Sequence, residues 1–388
     1  MITKITNALF ICDSILEDKS LYIEHGKIKA ITDKPLSFDE EIHAGGLYVS
    51  PGFIDIHTHG AGGFGFEDGE EEDILKAAQV HAKFGTTTIF PTAATSSFED
   101  LLLFVKNVKK AIEKNKNGKP YIAGSHLEGP YFSLEMRGAQ NPAYLKSPSP
   151  DEYKAFLRES GGTLKRVSFA PELDGSEALC DFLKENSIVA AFGHTDAVYS
   201  ELLPAIERGC TLATHLYSGM NTVVRRNCYR HLGAVETAFL RDDVTVEIIA
   251  DGCHLPPELL KLIYKIKGPD RICLITDSMR GASFSEGNSI LGPKNDGVAC
   301  VIKDGVAFLP DFSSFAGSVA TSDRLVRVMH LDAQIPLTDC IKMMCRTPAR
   351  VMGLSSKGSI SEGFDADLVF FDENINIKKV IIGGKTLE

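Results

Sequence analysis

No run of about 18 consecutive apolar residues occurs in this chain, which leaves it without a candidate transmembrane helix. The N-terminus, Met1-Ile2-Thr3-Lys4, lacks the basic-then-apolar order of a secretory signal, so the expected compartment is the cytoplasm. Positive charge is scarce. Lysine and arginine total 41 against 52 acids, a formal net charge of -11, which argues against nucleic acid or an anionic membrane as the partner. The nine cysteines contain no Cys-x-x-Cys pair. Several sit in apolar strand-like runs such as Arg271-Ile272-Cys273-Leu274-Ile275, and they read as buried free thiols in a reducing compartment rather than as disulfides. No internal repeat or low-complexity segment stands out. What remains is an ordinary globular composition, 44% apolar and 24% charged, and 388 residues suffice for one large barrel-type domain plus a smaller one.

The most informative stretch present is Pro51-Gly52-Phe53-Ile54-Asp55-Ile56-His57-Thr58-His59-Gly60. Side chains at i and i+2 of a strand share a face, so His57 and His59 leave the end of a buried strand side by side, and Gly60 ends it. Two imidazoles on one face make half of a metal site. Alone, His-x-His is as easily a pair of ordinary core or surface histidines.

The pattern along the chain changes twice. Residues 1–50 read as short strands with turns, all-β in character. From 51 onward, apolar strands are expected at Phe53–Ile56, Thr86–Phe90, Tyr121–Ser125, Arg166–Ala170, Val189–Phe192, Thr211–Thr214, Val244–Ala250 and Arg271–Ile275. Helix-length amphipathic segments such as Gly69–Phe84 and Phe98–Lys114 lie between most of them. Eight strands alternating with helices predict a closed (β/α)8 barrel over 51–353. β character returns after Gly353, so residues 1–50 and 354–388 are expected to combine into a small β-sandwich domain.

A barrel of this kind carries its chemistry at the C-terminal ends of its strands. The expected strand ends here carry His57 and His59, His126 and Glu128, His194 and Asp196, His215, Asp251 and His254, and Asp277. One such residue alone is as readily a capping acid or a satisfied core histidine. Asp277 has a plain alternative as the N-cap of the next helix, and His126 reads as an interior histidine that supports a ligand.

On these residues the chain resembles the amidohydrolase superfamily, and within it the N-acetylglucosamine-6-phosphate deacetylases. The resemblance runs from Pro51-Gly52-Phe53-Ile54-Asp55 to Gly363-Phe364-Asp365-Ala366-Asp367-Leu368. It is carried by His126-Leu127-Glu128-Gly129-Pro130, Gly193-His194-Thr195-Asp196-Ala197, Thr214-His215-Leu216-Tyr217, Ala250-Asp251-Gly252-Cys253-His254 and Ile275-Thr276-Asp277. Ala316-Gly317-Ser318 and Thr347-Pro348-Ala349-Arg350 match as well. It implies a metal-dependent deacetylase of an amino sugar phosphate, acting as a homodimer. Glu128, His194 and His215 form a set suited to zinc or ferrous iron, and His57 and His59 make room for a second ion with Glu128 as the bridge, so one or two divalent ions are expected. Asp277 is the expected general base and acid, and His254 the group that polarises the amide carbonyl. Substrate contacts are implied for Ala139, Gln140, Ser218, Gly219, Arg226, Arg230, His254, Phe315, Ala316 and Gly317.

In an acidic chain, Val224-Arg225-Arg226-Asn227-Cys228-Tyr229-Arg230-His231 is a basic loop suited to phosphate, although such a run is commonly just a solvated face. Gly60-Ala61-Gly62-Gly63-Phe64-Gly65 reads equally as a flexible flap or as a plain glycine loop. The chain departs from the family pattern at Ser218-Gly219, at Arg137-Gly138-Ala139-Gln140 and in a longer segment before the arginines, which leaves the sugar open. A different acetylated amino sugar phosphate such as N-acetylgalactosamine 6-phosphate, a cyclic amide, or a barrel that has lost its chemistry and only binds are the alternatives.

Overall fold

The computed structural model describes residues 1–116 and 118–387. Eight parallel strand positions run in chain order around a barrel, with Phe53–Thr58, Thr86–Ala93, Ser125–Glu128, Leu164–Phe169, Val189–Phe192, Leu212–Ala213, Thr245–Ile249 and Ile272–Ile275 as successive neighbours. The ring is drawn together where the Asp277 amide donates to the carbonyl of His57 (2.9 Å) and the His59 amide to that of Ser278 (2.7 Å). Each expected strand has its counterpart, with one interruption. The third is split into Tyr121–Ile122 and Ser125–Glu128 around Gly124, where a Cβ would lie 2.7 Å from the Thr163 carbonyl. Only glycine admits so close a backbone.

Ile54 and Ile56 on the first strand meet Ala191 on the fifth and Leu212 on the sixth in one buried apolar cluster. Strands on opposite sides of a ring can touch only through its interior, so this cluster fills the barrel. A second, larger cluster joins strand residues such as Phe53, Val167 and Phe169 to helix residues such as Leu101, Phe104 and Leu260. The helix Phe98–Lys114 shows why: Ser97 caps it by accepting the Asp100 amide (3.1 Å), and Leu101, Phe104, Val105 and Val108 recur at helical spacing on its buried face.

The two chain ends meet as expected. Leu368–Phe371 pairs antiparallel with Tyr48–Pro51, which ties the C-terminus to the N-terminal strands in a six-stranded sheet. A four-stranded sheet of residues 2–6, 20–24, 27–32 and 40–43 lies across from it. Ile5, Leu21 and Ile23 from the one meet Phe10, Val49, Leu368 and Phe370 from the other in a shared core, a small β-sandwich. All nine cysteines are free, six of them buried and Cys228 exposed.

Two features lie outside the sequence reading. After the eighth barrel strand, Gly287–Leu291, Val298–Lys303, Val306–Phe308 and Phe315–Ser318 form an antiparallel four-stranded sheet with its own apolar cluster around Met279, Cys300, Ile302 and Ala316. The arginine segment is a β-hairpin, Val224–Arg226 with Tyr229–His231, rather than a loop. No helix is long and apolar enough to cross a membrane among the described residues.

Candidate metal centre

The strand ends converge. His57, His59, Glu128 and Asp277 offer one ligand atom each within 4.8 Å of one another, and Glu128, His194 and His215 do the same. All six residues are buried. Glu128 divides its oxygens between the groups. Its Oε2 lies 3.7 Å from His57 Nε2 and 3.2 Å from His59 Nε2, and its Oε1 lies 3.1 Å from His194 Nε2 and 2.8 Å from His215 Nε2. Asp277 Oδ1 completes the first group at 3.4 and 3.2 Å from the same two histidine nitrogens. Two atoms each ligating one ion at about 2.1 Å stand roughly 3.0–3.4 Å apart for octahedral to tetrahedral angles, close to this spacing.

The local backbone is shaped for this convergence. Gly60 has φ of +155°, and a Cβ there would sit 2.2 Å from the Phe64 carbonyl, because Gly60–Ala61 folds straight back on Phe64–Gly65 as a short hairpin. That is the conformation of the glycine-rich segment after the first strand. His194, His215 and Asp277 all have positive φ (46°, 27° and 45°) without being glycine. Such residues cost on the order of 1–3 kcal/mol each and persist where their surroundings hold them. His194 Nδ1 donates to the Met136 carbonyl at 2.8 Å, and the His215 amide reaches Glu247 Oε2 at 3.3 Å.

These outer partners leave nitrogens facing inward. His57 Nδ1 lies 3.3 Å from Glu247 Oε2, and with Nδ1–H donating there and in His194, both Nε2 atoms present lone pairs to Glu128. His57 Nε2, His59 Nδ1 and His215 Nδ1 are buried without a hydrogen-bond partner. Lone pairs turned toward a carboxylate repel it unless a cation lies between. Burial opposes charge on His57 and His59, yet Asp277 and Glu128 push them up to about 9 and about 10. Burial works against Glu128 too, but the charge on His57 holds its carboxyl well below the usual range, and His194 and His215 add to this when their Nε2 atoms carry a proton in place of an ion. The centre draws in positive charge, and a set of imidazoles and carboxylates fits a divalent ion.

Around it lies a cavity of about 240 Å³ lined by Ala139, Gln140, Ser218, Gly219, His254, Phe315 and Gly317, all singled out from sequence, and by Leu291 and Ser314, which were not. The inserted sheet brings the last two. Ala316 differs from the expectation of a substrate contact: it alternates away from Phe315 and Gly317 and is fully buried in the sheet's own core. Arg226 and Arg230 do not line the cavity either, because their exposed hairpin projects from it and Arg226 pairs with Glu201 at 2.6 Å. Gln140 donates to Glu128 Oε2 (2.9 Å) and accepts the Thr95 amide (2.7 Å). Gly219 has φ of +57°, and a Cβ there would lie 2.6 Å from His194 Nδ1, which accounts for glycine at that unusual position.

His254 Nδ1 bonds Asp251 Oδ2 at 2.8 Å and its ring packs on Phe315. His126 contacts no ligand atom by hydrogen bond; it joins Thr92 (3.1 Å) and Ser168 (2.8 Å) and sets its ring edge against His57. Glu247 and Arg166 escaped the sequence reading as site residues, although a charged residue inside the apolar strand Thr245–Ile249 is the signal that marks Glu247; Arg166, on the strand Leu164–Phe169, carries no such mark beside Lys165. A larger cavity, about 640 Å³, opens beside Cys12, Lys342, Arg346 and Lys357. Lys342, Arg346 and Lys357 are paired with Asp270, Asp13 and Asp367 at 2.6–2.7 Å, and Arg350, which also lines it, donates to the Asp270 carbonyl. Neither ligand group of histidines and acids is part of its lining, so the chemistry belongs to the smaller site.

Comparison with known proteins agrees with the geometry. The amidohydrolase family profile matches residues 48–387. The N-acetylglucosamine-6-phosphate deacetylase of Lysinibacillus sphaericus is 30% identical over 95% of this chain and 93% of its own length. The N-acetylgalactosamine-6-phosphate deacetylase of Shewanella sp. ANA-3 is 31% identical over 87% of this chain and 82% of its own. The crystal structure of N-acetyl-D-glucosamine-6-phosphate deacetylase from Mycobacterium smegmatis superposes with a TM-score of 0.90 at 31% identity, covering 100% of both chains.

Proposed function

The chain belongs to the amidohydrolase family, and we propose that it removes the acetyl group from N-acetylglucosamine 6-phosphate, releasing acetate and glucosamine 6-phosphate. The observation that carries this reading is Glu128, one carboxylate shared by two ligand groups on the wall of a cavity that also presents Asp277 and His254. His57, His59, Glu128 and Asp277 would hold one divalent ion and Glu128, His194 and His215 another, with zinc or ferrous iron as the ions these donors suit. A bound divalent ion supplies Lewis acidity, lowering the pKa of a water from about 16 toward about 7.

The protein's own groups do the rest. Asp277 takes the proton from the attacking water as the water oxygen bonds the acetyl carbon. It then delivers that proton to the sugar nitrogen as the C–N bond breaks, since an amine leaves poorly as an anion. His254 steadies the carbonyl oxygen as it gains charge; a donor at Nε2 while Nδ1–H faces Asp251 requires the imidazolium, with the Asp251 carboxylate as its counter-charge. Gln140 keeps Glu128 oriented from the substrate side.

No lysine or arginine lines the cavity among the described residues. A phosphate therefore needs a cation from elsewhere. In this reading the protein is a cytoplasmic homodimer, residues 51–353 are its catalytic unit with 1–50 and 354–388 as the sandwich, and the hairpin of Arg226 and Arg230 reaches the partner's cavity. The galactosamine epimer is the second reading, favoured by a relative of that name at comparable identity. A deacetylation screen of N-acetylglucosamine, N-acetylgalactosamine and N-acetylmannosamine 6-phosphates against their unphosphorylated forms decides. Turnover only of a cyclic amide would defeat the proposal.

A further inference from the structure

Beneath the metal centre, in the barrel interior, Arg166 and Glu247 form an ion pair with both side chains fully buried. Two charges withdrawn from water are costly, and apolar residues of like volume commonly replace such pairs without loss. Their contacts show what the pair holds. Glu247 Oε2 accepts from Arg166 Nη2 (2.8 Å) and lies 3.3 Å from both His57 Nδ1 and the His215 amide nitrogen. Arg166 donates in turn to the Ile56 carbonyl (3.2 Å) and to Thr214 Oγ1 (3.1 Å), the residues immediately before those two histidines. The pair thus grips the first and sixth barrel strands at the same step, one residue below a ligand on each.

We propose that Glu247, anchored by Arg166, is a positioning residue of the metal centre. It fixes the His57 ring so that Nε2 faces the ion, and it ties the strained backbone of His215 to the same carboxylate, which couples the two ligand groups. The inference rests on the metal reading above. Because Nδ1–H donates to an anion, the ring opposite becomes a better donor to a metal, an effect whose loss weakens metal binding by about 10- to 100-fold. The carboxylate contacts the ring of His57 but only the backbone of His215. The weakening is therefore expected mainly at the ion held by His57 and His59.

The test is Zn2+ binding to the full chain, measured by competition with a chelator, with the binding step of the first group identified as the one lost in His59→Ala. Glu247→Gln keeps an acceptor for His57 but removes the charge, and the first-group step should weaken by roughly 10-fold or more while the other step changes little. The double variant Arg166→Met with Glu247→Leu removes both charges together, so that no lone buried charge interferes with folding. It should weaken the first-group step further. Two unchanged steps in either folded variant would overturn the proposal, as would failure of both variants to fold, which would make the pair scaffolding for the barrel alone. If the unaltered protein takes up no Zn2+, it is the metal reading that fails, and the two failures are told apart by that control.

Discussion

Replacing Glu128 with glutamine tests the centre at the residue both ligand groups share. Glutamine keeps the size but has one oxygen and one amide nitrogen. Gln140 donates to Oε2, so the new oxygen belongs there and the new amide group falls where Oε1 was, facing His194 Nε2 and His215 Nε2 at about the present 3.1 and 2.8 Å. Its two hydrogens satisfy those nitrogens, and the fold without metal should be nearly unchanged. The ion loses a charged ligand, which must cost more than the about 10- to 100-fold that loss of an outer partner costs. For a native protein held at ligand a thousandfold above Kd, metal stabilises by about 4.1 kcal/mol, and a hundredfold weaker Kd reduces this to about 1.4 kcal/mol. At roughly 2.1 cal/mol/K of unfolding entropy per residue, a chain of 388 residues shifts by about 1.2 °C per kcal/mol. Calorimetry with and without Zn2+ should therefore show a metal-induced rise of about 5 °C shrinking to about 2 °C or less. Elemental analysis should show metal and activity falling together. Native metal content in Glu128→Gln would remove Glu128 from the ligand set and refute the reasoning.

Asp277→Asn should lower kcat by at least about 10²-fold, the usual scale for lost acid–base help, while the His194–His215 group retains its ion; near-native kcat would mean that another group moves the proton. Arg226→Ala with Arg230→Ala should raise KM for the phosphorylated sugar by on the order of 10- to 100-fold per arginine that contacts phosphate. Equal effects on the bare sugar would make the hairpin a solvated rim. His81, buried against Gly60 and Thr58, is pushed down to about 4 from 6.5 by burial, against a hydrogen bond to the Gly60 carbonyl. A histidine kept neutral on folding stabilises fully above its unfolded value and loses that contribution as pH falls below it. The native protein should therefore lose roughly 2 kcal/mol between pH 7 and pH 5 that His81→Gln does not lose, as read by urea unfolding without metal. Parallel pH curves for the two proteins would show that His81 is not buried neutral.

The barrel and its chemistry were legible because they are written locally. Apolar runs of strand length located the eight strands, the third only in part, and a histidine or acid at a strand's end is carried to the rim whatever the packing. His57, His59, Glu128, His194, His215 and Asp277 therefore stood among the strand-end candidates with His126, Asp196, Asp251 and His254, and the resemblance to the amidohydrolases picked the ligands and the base from them. The pairing of the chain ends followed from β character returning after Gly353. Other features depend on where distant segments meet. That Glu128 divides its two oxygens between two histidine pairs depends on strand tilt and register. Arg166 and Glu247, 81 positions apart, find each other only across the closed interior. The sheet from Gly287 to Ser318 delivers Leu291 and Ser314 to the cavity but turns Ala316 into its own core. The arginines look like an anion site in one dimension, yet in this chain they stand outside the cavity and Arg226 faces Glu201. Sequence sets which groups stand at the ends of strands; closure of the barrel decides which of them converge on one another, which support the others, and which face solvent.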